Sequence, residues 1–175
     1  MLQPEMKTAK ARMPRILVML GVLAGSLSPA IAEEAPPSYE MMVIGNDAFG
    51  DLIVDGKYES AIRKNLRKKT YRDQFALKNN LCVAYTMAGQ LEEATKACDS
   101  AITANRHAAS PWAVRRHYTA WRAVAYSNRG VLRLVQGDRD AARSDFEQAA
   151  VLKDSLGQSR IDLTHLNSLD DTEAR

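Results

Sequence analysis

A chain of 175 residues with 46% hydrophobic and 26% charged side chains has the composition of one globular domain with a real core. Only 6% of the residues are aromatic, which together with recurrent alanine favours closely packed helices over a sheet. The formal charge of +3 resides in a leader that carries Lys7, Lys10, Arg12 and Arg15 against Glu5; the rest holds 20 basic and 20 acidic residues, a balance that speaks against phosphate-driven nucleic-acid binding.

Residues 1–32 combine this basic leader with the apolar run "ILVMLGVLAGSL" and then "SPAIA", where Ala30 and Ala32 form a small-residue cleavage signal. The pattern reads as a cleaved secretory signal peptide, and it predicts export to the periplasm or the medium. A membrane anchor is the alternative, but a span needs about 20 apolar residues. Residues 33–41, containing "EEAPPSYE", read as a linker, because adjacent prolines neither continue a helix nor enter a sheet.

Beyond the linker, "MMVIGNDAFGDLIV" has Gly45 and Gly50 within an apolar stretch, and is expected to be partly extended before a short helix capped by Asn46 or Asp47. "TYRDQFALKNNLCVAYTMAGQ" opens with Thr70 and Asp73 at capping-box spacing, and Leu77, Leu81, Val83, Ala84 and Tyr85 include pairs three and four apart. Ser110 and Pro111 suit the N-cap and first position of a helix of about 26 residues, long enough to suggest a bend or extra turn near Ala120. "SRIDLTHLNSL" offers Ile161, Leu166 and Leu169 for a short terminal helix, and "DDTEAR" reads as a frayed end.

Three segments share one pattern: Gly56, Gly89 and Gly137 are each followed five residues later by alanine, as Ala61, Ala94 and Ala142. The glycine ends one helix and the alanine lets the next lie close against it. Gly56 to Gly89 is 33 residues, a period typical of helical solenoids.

These residues resemble tetratricopeptide repeats. The third copy carries the resemblance best, through Tyr126, Gly130, Gly137, Ala142, Phe146 and Ala149; the second does so through Leu81, Cys82, Tyr85, Gly89, Ala94, Cys98 and Ala101. The first matches at Gly56, Tyr58 and Ala61. The resemblance implies an all-α helical-hairpin array of about three repeats, at 42–74, 75–108 and 123–156. Residues 109–122 extend a helix between the second and third copies, and 157–175 supply a capping helix and tail. Small Gly130 and Ala142 are expected where antiparallel helices touch, with Phe146 beside them.

In this register Cys82 and Cys98 face each other across the turn at Gly89, a placement suited to a disulfide in an exported chain. The alternative is two buried thiols acting as small hydrophobes. His107, His117 and His165 lack a second ligand at metal-motif spacing, and no glycine-rich phosphate loop is present. No enzyme activity, metal or cofactor is expected.

The family's inner helices line a concave groove, which implies that Ala76, Asn79, Val83, Thr86, Ser127, Val131 and Leu134 contact a protein or peptide. In versions that clamp a C-terminal carboxylate, Asn79 fits but Val131 does not, which favours an apolar or mixed groove. Two basic clusters supply the alternative of an envelope or membrane-surface protein with anionic contacts. One includes Arg63, Arg67 and Lys68, and the other Arg115, Arg116 and Arg122. The bland reading of both is a solvated helix face. Self-association into a homodimer is a further alternative for the groove.

Overall fold

The structure, a computed structural model, describes residues 6–11, 39–45, 48–66, 74–104, 113–152 and 164. Among them, each turn between paired helices is built the same way. Gly56, Gly89 and Gly137 adopt φ of 75°, 74° and 84°, a region that costs a side chain energy but not glycine. The Gly89 N–H donates to Thr86 O at 3.1 Å and the next N–H, of Gln90, to Tyr85 O at 2.9 Å. The same two bonds recur at Gly56 and Gly137. This Schellman arrangement satisfies carbonyls that a helix end leaves open and sends the chain straight into the next helix.

The helices so joined are α1 (Ala48–Val54) and α2 (Tyr58–Leu66), α3 (Gln74–Met87) and α4 (Leu91–Ala104), and α5 (Ala113–Val135) and α6 (Arg139–Leu152). Ala61, Ala94 and Ala142 are each wholly buried, one turn into the second helix of a pair. Asp138 caps α6 by accepting the Ala141 N–H at 3.0 Å. The described residues are therefore mostly helical, and each of the three glycines ends one helix just before the next begins.

Two strands add a small antiparallel pair to the expected all-α fold. β1 (Met6–Ala11) pairs antiparallel with β2 (Tyr39–Ile44), from Met6 opposite Ile44 to Ala11 opposite Tyr39. β1 lies in what reads as the leader, and β2 takes Tyr39 to Met41 out of the stretch that reads as linker. Its run "YEMMVI" lacks polar alternation because both its faces are covered. The expected extended segment before a short helix is thus β2, followed by Gly45 at φ 104° and α1.

β2 divides the core. Tyr39, Met41 and Val43 pack with Ala9, Phe49, Ile53, Ile62, Val83 and Val131, whereas Met42 and Ile44 join Phe75, Ala101, Ile102, Val124 and Ala125. Phe75 and Trp121 stack beside the second group, with centroids 5.3 Å apart and planes within 2°. α5 runs 23 residues without interruption through Ala120, which is buried.

Thr70, Asp73, Ser110 and Pro111 lie outside the described residues, as do Asn46 and Asp47. So do Arg67, Lys68, His107, His165 and, apart from Thr164, residues 157–175 with their expected capping helix. The apolar run and cleavage signal of the leader also lie outside them.

Candidate functional site

Three asparagines face one strand. Asn80 on α3 and Asn128 on α5 each stand nine residues before their turn glycine, and each grips one residue of β2 by both backbone groups. The Asn128 Oδ1 accepts the Met42 N–H at 2.8 Å while its Nδ2 donates to Met42 O at 2.8 Å. Asn80 does the same to Ile44, at 2.8 and 2.7 Å. Asn79 joins them: its Nδ2 donates to Met42 O at 2.9 Å, and its Oδ1 accepts from Asn128 Nδ2 at 3.0 Å.

A primary amide offers a donor and an acceptor side by side, as a residue of a neighbouring strand does. The amides therefore replace the missing strand along one edge of β2. Two consecutive helical hairpins hold two alternate residues of the strand, a spacing set by the two-residue repeat of a β-strand. All three asparagines are at most 2% exposed, where an unpaired amide or peptide group costs about 1–3 kcal/mol. The interaction reads backbone, so side-chain selectivity falls to the two apolar clusters on either face.

The other edge belongs to β1. Along an antiparallel strand, backbone groups point alternately to the two sides, and those of Met42 and Ile44 are taken by amides. The groups of Tyr39, Met41 and Val43 therefore turn toward β1, opposite Ala11, Ala9 and Lys7. Lys7 reaches across to α1, with Nζ 2.7 Å from Asp51 Oδ1.

The sequence-predicted groove residues can now be placed. Asn79, Val83, Thr86, Ser127, Val131 and Leu134 are buried and Ala76 is partly so. Asn79 touches β2 directly, and Val83, Val131 and Leu134 lie in the cluster that packs Met41 and Val43. Thr86 spends its hydroxyl on Cys82 O at 2.7 Å. The helices that carry these residues, α3 and α5, both pack against the chain's own β2. Asn80 and Asn128 went unnoticed in the sequence, although both are asparagines at one offset from a turn glycine.

The cation sites separate. Arg63 is exposed and donates to Ser60 Oγ at 3.1 Å. Arg115 and Arg116 stand on the N-terminal part of α5, and Arg122 lies 5.9 Å from the Tyr126 ring centroid. Arg129 is spent on structure: it forks onto Asp145 through Nε and Nη2, both at 2.8 Å, and reaches Asp99 through Nη1 at 2.7 Å. Burial alone would lower its pKa, but the hydrogen bonds to Asp145 and Asp99 outweigh it and hold the guanidinium above its ordinary value. Arg133 adds a second contact to Asp145, at 2.9 Å. Together these pairs pin α4, α5 and α6.

Cys82 and Cys98 form a disulfide, with Cα atoms 4.7 Å apart, that ties α3 to α4. Among the described residues no helix is long and apolar enough to cross a membrane. Comparison with models of protein families, with curated proteins and with solved structures finds no match to this chain.

Proposed function

We propose that this chain is an exported, non-catalytic interaction module, built as a tetratricopeptide-like helical array, that holds an extended polypeptide segment against the inner faces of its hairpins. The observation that carries the reading is the bidentate grip of Asn80 and Asn128 on alternate residues of β2, backed by Asn79. Such a grip binds main chain irrespective of sequence, which is how strand-adding recognition generally obtains its affinity. The buried disulfide supports an oxidising compartment, periplasm or medium, after removal of residues 1–32.

The membrane-surface alternative rests on Arg63, Arg67, Lys68, Arg115, Arg116 and Arg122; two further cations of α5, Arg129 and Arg133, are paired with Asp99 and Asp145 and add nothing to it. The test is photo-crosslinking in the native envelope from position 40, on β2, and from position 151 on α6, where Val151 is 83% exposed. Adducts to another protein from position 40 but not 151, lost in an Asn128→Ala copy, support the module. Adducts to lipid alone, abolished by physiological salt, support the membrane-surface reading.

A further inference from the structure

We infer that the edge of β2 now covered by β1 is a strand-binding site, and that β1 is its exchangeable occupant, standing where an extended segment of a partner protein docks. The inference rests on the reading of the chain as a segment-holding module and names the chemistry of the segment.

The two strands are anchored very unequally. β2 is buried on both faces and has one edge gripped by three amides, so nothing on that side depends on β1. β1 sets Ala9 into the core, while Met6 and Thr8 are exposed and Lys7 makes a half-exposed ion pair. β1 is held chiefly through its main chain. Removal of β1 would leave the outward N–H and C=O groups of Met41 and Val43 without their ladder partners, beside side chains that are wholly buried. Such an edge is a template for another strand.

The occupant's chemistry follows from β1. Directly opposed residues share a face, so Lys7 and Ala9 lie on the side of Val43 and Met41, toward α1. The segment that fits is extended and antiparallel to β2. It carries a small apolar residue opposite Met41 and, two residues earlier, a cation opposite Val43 that reaches Asp51. Cleavage after Ala32 would remove β1 with the leader and open this edge in the exported protein.

The test uses the full chain with a protease site inserted between residues 12 and 38, cut after folding and followed by a labelled peptide of residues 4–13. The cut chain is expected to stay helical, to release its N-terminal piece on dilution, and to bind the peptide saturably. An Ala9→Asp peptide should bind at least tenfold more weakly. N-methylation at Ala9, whose N–H faces β2, should abolish binding, whereas N-methylation at Thr8, whose N–H faces outward, should leave it within about twofold. A Lys7→Glu peptide should regain affinity on a chain with Asp51→Lys.

A helical cut chain that retains its piece without exchange, or releases it and then binds no peptide, overturns the inference. If the Met42 and Ile44 amides stay protected from hydrogen exchange in that experiment, the amide grip survives and only the exchangeable edge is lost. Loss of that protection, with collapse of the helices, would bring down the segment-holding reading as well. Dimers of the uncut chain with β1 swapped between copies would make the occupant a second copy and overturn the assignment to a different protein.

Discussion

Gly130 packs against the ring of Phe146: a Cβ built on Gly130 would stand 2.5 Å from the ring's Cε1. These positions fall seven residues before and nine after Gly137, the same offsets at which Cys82 and Cys98 flank Gly89. One hairpin closes its helix contact with glycine against an aromatic ring, and the other with a covalent bond.

Gly130→Ala is therefore expected to destabilise the protein by about 1–3 kcal/mol, although alanine is the better helix former, because the fully buried ring has nowhere to retreat. Urea unfolding measures this through a lower midpoint at constant slope. Combining it with Phe146→Leu should recover part of the loss, since the smaller side chain leaves room for the methyl group. Additive losses would mean that the two residues do not share that space.

The disulfide closes a loop with a sequence separation of 16, for which loss of chain entropy in the unfolded state corresponds to about 3 kcal/mol. Reduction should lower stability by that order while leaving a helical spectrum, because Cys82 and Cys98 would remain packed as small apolar groups. Thiol titration of denatured, unreduced protein should find no free thiol.

These two contacts were legible from the sequence because they follow from counting residues outward from a turn glycine. The strand pair was not. β1 and β2 are separated by a long stretch of chain, β1 reads as a basic leader, and the "MMVI" of β2 has no alternation to announce a strand. The family resemblance pointed to Asn79 and Ser127; Asn79 does bond to β2, but the grip at both backbone groups comes from the neighbours Asn80 and Asn128. What packs against a helix face is a non-local fact, and helical periodicity carries no trace of it.

Asp145 is 2% exposed and receives both Arg129 and Arg133. Asp145→Asn should cost about 3 kcal/mol, since it strips the charge from a bidentate pair and leaves a half-buried guanidinium short of its partner. Asp99→Asn should cost less than about 1 kcal/mol, because Asp99 is 55% exposed and solvent screens its pair with Arg129. A double-mutant cycle between Arg129 and Asp145 should give the larger coupling. Equal effects at the two carboxylates would mean that burial does not govern this network.

Asn128→Ala leaves the buried Met42 N–H without its acceptor and removes one of two donors from Met42 O, a loss of about 2–4 kcal/mol. Asn79→Ala should cost less, because Asn128 still satisfies Met42 on both sides. Amide hydrogen exchange separates a local from a global effect: Asn128→Ala should expose the Met42 amide and Asn80→Ala that of Ile44, each before the helices open. Asn128→Asp adds a pH test. A carboxylate there accepts the Met42 N–H but faces Met42 O and Asn79 Oδ1 with no proton to donate, so burial raises its pKa in the folded state. The folded protein then binds more protons than the unfolded one, and stability should rise as pH falls through the elevated pKa and on toward the ordinary aspartate value. A stability unchanged over that range, relative to the parent protein, would mean that the Asn128 amide donates nothing that β2 needs.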